Sequence, residues 1–206
     1  MKHYLPSLTL FILAVALSFY AYPYMPDQMA VHFRFDGTPD GFMAKFWALA
    51  TAPLFMLLLM AAALLVPVNP SDARTLSART LVRETSIGLL FGAHIAIILY
   101  AVGYEFDMAK YVTILMGIVF LILGNYMPRF QPSRYIGIRT PWTLASEENW
   151  RRTHRTAGKI WFIGGLLMLA CLLLPEGTTA FGFLFVLIAV MGLTLAVTFY
   201  HSRGRA

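Results

Sequence analysis

The chain predicts an all-α polytopic membrane protein with six transmembrane helices, and three observations carry that prediction. Apolar residues make up 59% of the 206 residues and charged residues only 13%, about half the roughly 25% of a soluble domain. The apolar residues fall into runs close to the ~20 residues that cross ~30 Å of hydrocarbon as a helix. Lysines and arginines gather in alternate connections, as they do when one side of a membrane retains them. Backbone groups in lipid must be satisfied within the segment, and the short alternating segments of a β-barrel are absent.

The spans read as about 5–22, 46–66, 85–104, 111–127, 159–174 and 180–200, joined as three helical hairpins. The first follows Lys2 and His3. It is expected to remain uncleaved, because "SFYAYPY" places Phe19 where a signal-peptide site needs a small residue. Next comes a long connection, "PYMPDQMAVHFRFDGTPDGFMAKFW". "MAVHFRF" alternates with the period of a strand, and "DGTPDG" has turn chemistry. An extended segment and a turn packed on the membrane face are expected, with Tyr22, Tyr24 and Trp47 at the interface. Gly37, Pro39 and Gly41 argue against a helix that would bring His32, Asp36 and Asp40 together as metal ligands. No H-E-x-x-H occurs, and no metal or cofactor is expected.

In the third span His94 is the one ionisable group expected at depth, besides the Cys171 thiol in the fifth. A neutral imidazole bonded to a neighbouring helix is the expectation, with a functional role as the alternative. Gly88 and Gly92 have the spacing of a close helix contact. One cysteine cannot close an internal disulfide.

The fourth span ends at Pro128 and Pro132, and Pro141 is expected to prevent a regular helix in "GIRTPWT". Ser146, Glu147 and Glu148 begin a short amphipathic interfacial helix over about 147–157. Glu147–Arg151 and Glu148–Arg152 have ion-pair spacing. Trp150, Thr153, His154, Ala157 and Trp161 share one face, and Arg151, Arg152 and Arg155 share the other. Lys2, three arginines in 67–84, seven basic residues in 128–159 and Arg203 and Arg205 would share one side. Only Arg34, Lys45 and Lys110 would face the other. Both termini are therefore expected in the cytoplasm. The net charge of +6 follows from this asymmetry and gives no reason to expect direct nucleic-acid binding; the first partner is the bilayer.

"GNYMPRFQPSRYIGIRTPWTLASEENWRRTHRTAGKIWFIGGLLML" resembles the signature of the SdpI family of bacterial membrane immunity proteins, a G-N-x-M-P…G-I-R-T-P-W-T-L…W-x-x-T-H…G-K pattern. "MPDQMAVHFRFDGTPDGFMAKF" resembles the domain of unknown function that commonly precedes it. The resemblance implies three regions: 1–66, a hairpin with its extracellular loop; 67–104; and 105–206, with a cytoplasmic motif loop over 128–159. It also implies protection against a secreted toxic peptide outside and sequestration of a small repressor inside. The family's cytoplasmic motif falls on Asn125, Pro128, Gly137, Arg139, Thr140, Pro141, Trp142, Thr143, Trp150, His154, Gly158 and Lys159. A corresponding extracellular partner surface would comprise Pro26, His32, Phe33, Asp36, Gly37, Asp40, Gly41 and Lys45. No catalytic residue is implied. The alternatives are a transporter using His94, an envelope scaffold, or a membrane enzyme with His154 or His32 as general base; that last lacks a nucleophile or metal set.

Overall fold

A computed structural model describes residues 4–65, 73–175 and 177–203. Seven helices and one β-hairpin run in the order α1 (Leu5–Ala21), β1 (Gln28–Phe33), β2 (Pro39–Ala44), α2 (Lys45–Leu65), α3 (Ala73–Ala101), α4 (Met108–Tyr126), α5 (Pro141–Ala145), α6 (Glu147–Ala170) and α7 (Thr179–Arg203). Six of them are long and apolar enough to span a membrane, all but the short α5. The all-α expectation holds, with the long connection adding a two-stranded hairpin. The expected domain boundary at 66–67 lies outside the described residues.

The helices pack as two groups of three: α1, α2 and α3 together, then α4, α6 and α7, with α3 against α4 between them. Glycine sets how closely the second group packs. A side chain on Gly124 would come within 2.4 Å of the Phe162 nitrogen, and one on Gly165 within 2.8 Å of the Gly117 carbonyl. Gly117 and Gly124 on α4, and Gly158 and Gly165 on α6, are each seven residues apart, so the two antiparallel backbones meet along a seam. The Gly88–Gly92 pair behaves differently from expectation. Gly92 abuts Leu115, but a side chain on Gly88 would meet nothing within 4 Å.

Two helices begin well before their apolar runs. α3 extends to residue 73 and α6 to 147, so the expected separate interfacial helix is the first turns of one continuous 24-residue helix. Ser146 caps α6 as its sequence predicts, accepting from the Asn149 N–H. Pro141 starts a helix instead of preventing one. It occupies the first position of α5, where its missing N–H costs nothing, and Thr140 and Thr143 close a reciprocal capping box around it.

Candidate functional site

The motif segment folds into a platform at one end of the bundle. Trp150 is 1% exposed and His154 fully buried. Their rings stack at 4.1 Å with 20° between planes. The Trp150 indole N–H donates to the Phe130 carbonyl at 2.9 Å, tying α6 to the chain leaving α4. His154 Nδ1 lies 2.8 Å from the Trp150 carbonyl, while its Nε2 accepts the Ile138 N–H at 2.9 Å. A carbonyl can only accept and an N–H can only donate. The ring is therefore the neutral Nδ1–H tautomer, and both nitrogens are used.

Gly137 makes this approach possible. Its φ is +117°, and a side chain there would sit 2.6 Å from His154 Nε2 and 2.7 Å from the Trp150 ring. The Thr143 hydroxyl donates towards the Ile138 and Thr140 carbonyls at 2.9 and 3.0 Å and accepts the Thr140 N–H at 2.8 Å. The Asn149 amide donates to the Trp142 carbonyl, and the Trp142 ring, half-buried, meets Phe199 of α7 edge-on at 6.2 Å. Gly158 packs against Gly124 and Pro128. Much of the motif thus builds the platform. Arg139, Pro141, Lys159, Asn125 and Pro128 remain exposed. Arg139 donates to the Arg134 carbonyl at 2.5 Å, and Tyr135 and Leu144, about half exposed, share its surface. On the charged face of α6, Glu148 holds both Arg151 and Arg152. The expected Glu147–Arg151 pair is absent from the ion pairs of the described residues, because Arg151 turns back to Glu148 at i,i+3.

At the opposite end, β1 and β2 pair antiparallel from Gln28↔Ala44 to Phe33↔Pro39, with irregularities on either side of His32. Met29 and the preceding Met25 are buried with Ala21, Leu49 and Ile98, docking the hairpin on α1, α2 and α3. Gly37 takes φ +82° in the turn. The Asp36 carboxylate accepts the Thr38 N–H at 2.9 Å and its hydroxyl at 2.6 Å. Those bonds hold its pKa below the ordinary value. His32 Nδ1 donates to Asp40 at 2.5 Å, and that bond, then the charges of His32 and Arg34, lowers the Asp40 pKa. The Gly41 Cα leaves room for the His32 Cβ, which an added side chain would meet at 2.7 Å. Lys45 reaches Asp27 at 3.1 Å, beside the exposed Pro26. His32, Arg34, Asp36 and Asp40 rim a cavity of about 720 Å³ whose wall includes Phe33, Phe35 and Phe181. Tyr22, Tyr24 and Trp47 are exposed around this end, as an interfacial aromatic belt would be.

The bundle interior holds more polar chemistry than its apolar runs suggest. Pro53 lies inside α2 and has no N–H, so it leaves the Leu49 carbonyl without its helical donor. The Ser18 hydroxyl reaches that carbonyl at 3.0 Å and the Ala14 carbonyl at 2.9 Å. His94 Nε2 in turn meets Ser18 Oγ at 3.0 Å. His94 is thus bonded to a neighbouring helix, in a network that repairs a proline defect. It is not the only buried ionisable group. Arg83 is 4% exposed, pairs with Glu84 at 2.6 Å, donates to Ser7 at 2.9 Å and lies 3.9 Å over the Tyr4 ring. Ser7 also donates to Glu84. This cluster sits eleven residues before His94, roughly 16 Å along the helix, too far for a direct proton step between them.

These features define a multi-pass helical protein of the cell membrane with a built structure at each end. Residues 129–200 match the SdpI/YfhL protein family, and residues 9–57 match a domain of unknown function, DUF1648. The chain is 24% identical over 204 residues to the Immunity protein SdpI of Bacillus subtilis (strain 168), covering 98% of both. With the family's segment preceded by that domain, and with similarity along nearly its whole length, the chain is similar to the SdpI family of membrane immunity proteins. No solved structure matches it.

Proposed function

We propose that this protein is a membrane immunity protein. It meets a secreted toxic peptide at the hairpin face and passes that event to a cytoplasmic repressor at the motif face. The observation that carries this is α3. At one end Ile98 packs with Met29 of the hairpin, and Tyr100 meets Phe33 edge-on at 4.8 Å. At the other, Ala78 and Val82 pack with Trp150 and Phe130 of the platform. A single 29-residue helix therefore touches both candidate partner surfaces, and a peptide that favours one arrangement of the hairpin can bias the platform through it.

The protein acts by binding. His154 has no free ring nitrogen for general-base work, and His32 has Asp40 but no hydroxyl or thiol hydrogen-bonded to it among the described residues. The motif face is the cytoplasmic one, by the distribution of lysine and arginine. The hairpin cavity, with aromatic walls and a charged rim, suits an apolar peptide carrying a few charges. The repressor surface is the exposed side of the platform, where Tyr135, Arg139, Pro141 and Leu144 stand clear.

The test is survival of a deletion strain challenged with the toxic peptide and complemented with variants matched for membrane abundance. Arg139→Ala with Leu144→Ala is expected to abolish repressor recruitment, and Phe181→Ala with Phe35→Ala to reduce protection. Full survival and recruitment in both would defeat the proposal.

A further inference from the structure

We infer that the groove between α3 and the platform binds the phosphate headgroup of an anionic phospholipid. The groove encloses about 610 Å³, within the roughly 300–1,000 Å³ typical of small-ligand sites. Its lining brings together the guanidiniums of Arg129, Arg151 and Arg155, the Ser77 hydroxyl from α3 and the Gln131 amide, against a single carboxylate, Glu147. Forked guanidiniums beside hydroxyl and amide donors suit phosphate oxygens. Arg151 already shares Glu148 with Arg152, and Arg129 is partly occupied by the Asn125 carbonyl at 3.2 Å. Arg155 has no hydrogen bond or ion pair among the described residues, and it lines both this groove and the smaller cavity beside it.

Height selects lipid over a soluble anion. On α6, Arg155 precedes Ile160, the first residue of the apolar run that continues through Phe162, Ile163, Leu166 and Leu167. Five residues of helix place Arg155 about 7–8 Å beyond that point. The headgroup layer occupies the ~5–8 Å outside the hydrocarbon, so the groove opens where lipid phosphates lie. Since Ser77 belongs to one three-helix group and the arginines to the other, a bound headgroup bridges the two. This site is distinct from the exposed Arg139–Leu144 surface, and its test needs neither toxin nor repressor.

Native mass spectrometry of the purified full-length protein, titrated with phosphatidylglycerol or phosphatidylcholine, provides the measurement. Phosphatidylglycerol is expected to bind about tenfold more tightly, and Arg155→Ala to remove about fivefold of that preference, as one charge near a headgroup would. Arg152→Ala is the control, because Arg152 lines only the neighbouring cavity; it should leave the preference intact. Equal binding of the two lipids would overturn the inference, as would an Arg152→Ala loss as large as that of Arg155→Ala. Millimolar inorganic phosphate that displaced the lipid completely would overturn the lipid assignment and leave a soluble-anion site.

Discussion

The two ends of the bundle are built in opposite ways. At the motif end, Trp150 and His154 are sealed from solvent, every polar atom of the pair is bonded, and a glycine seam clamps the supporting helices. At the hairpin end, the His32, Arg34 and Asp40 side chains are joined by ion pairs open to water, and such pairs contribute little net stability. The strand pairing is irregular beside His32. Removing one platform atom leaves a buried partner unsatisfied, whereas removing one hairpin charge lets water take its place. The contrast fits the proposed roles, a deformable receptor at the hairpin and a stiff display surface at the motif.

The sharpest way to break that contrast is at Trp150. Trp150→Ala should destabilise the protein by about 3–5 kcal/mol, read as a fall in the thermal unfolding midpoint in detergent. A loss under about 1 kcal/mol would mean that the platform is loosely packed. Gly137→Ala comes next, at about 2 kcal/mol, because it forces a side chain into the left-handed region and against His154. Smaller again is Ser18→Ala, expected to cost about 1–2 kcal/mol by leaving the Leu49 carbonyl and His94 unsatisfied. Pairing it with Pro53→Ala restores an N–H for that carbonyl, and the double-mutant cycle should show the serine's worth shrinking.

The smallest effect belongs to the hairpin and depends on pH. Asp40 has a lowered folded pKa. Its contribution is therefore present above the ordinary carboxylate value, about 4, and is lost as pH falls through the lowered one. Opening of the hairpin amides, measured by hydrogen exchange corrected for intrinsic rates, should be constant above about pH 5 and increase below about pH 4. Asp40→Asn should reduce that acid-side change, leaving the part that belongs to Asp36, without altering the platform.

What was legible in the sequence followed from periodicity and local chemistry. The six spans, the Trp150–His154 face, the Ser146 cap and the turn at Asp36–Gly37 all depend on residues close in the chain. The start of α3 was hidden because Arg79, Arg83 and Glu84 look like loop residues; only packing against α1 shows Arg83 buried. The role of Pro53 was half legible: a proline in an apolar run announces a freed carbonyl, but Ser18 as its donor depends on how α1 meets α2. The paired seven-residue glycine spacings stood in the sequence, yet spacing does not say which helices meet. Likewise, "GIRTPWT" signalled a special structure without revealing that His154 would accept the Ile138 N–H.

The central claim is that α3 links the hairpin to the platform, and Tyr100→Ala tests it most directly. Hydrogen exchange of the purified protein in lipid nanodiscs should show altered protection in the hairpin and also in residues 136–145, which lie at the far end of the bundle. A change confined to the hairpin and the adjacent turn of α3, with residues 136–145 unaltered, would contradict the claim.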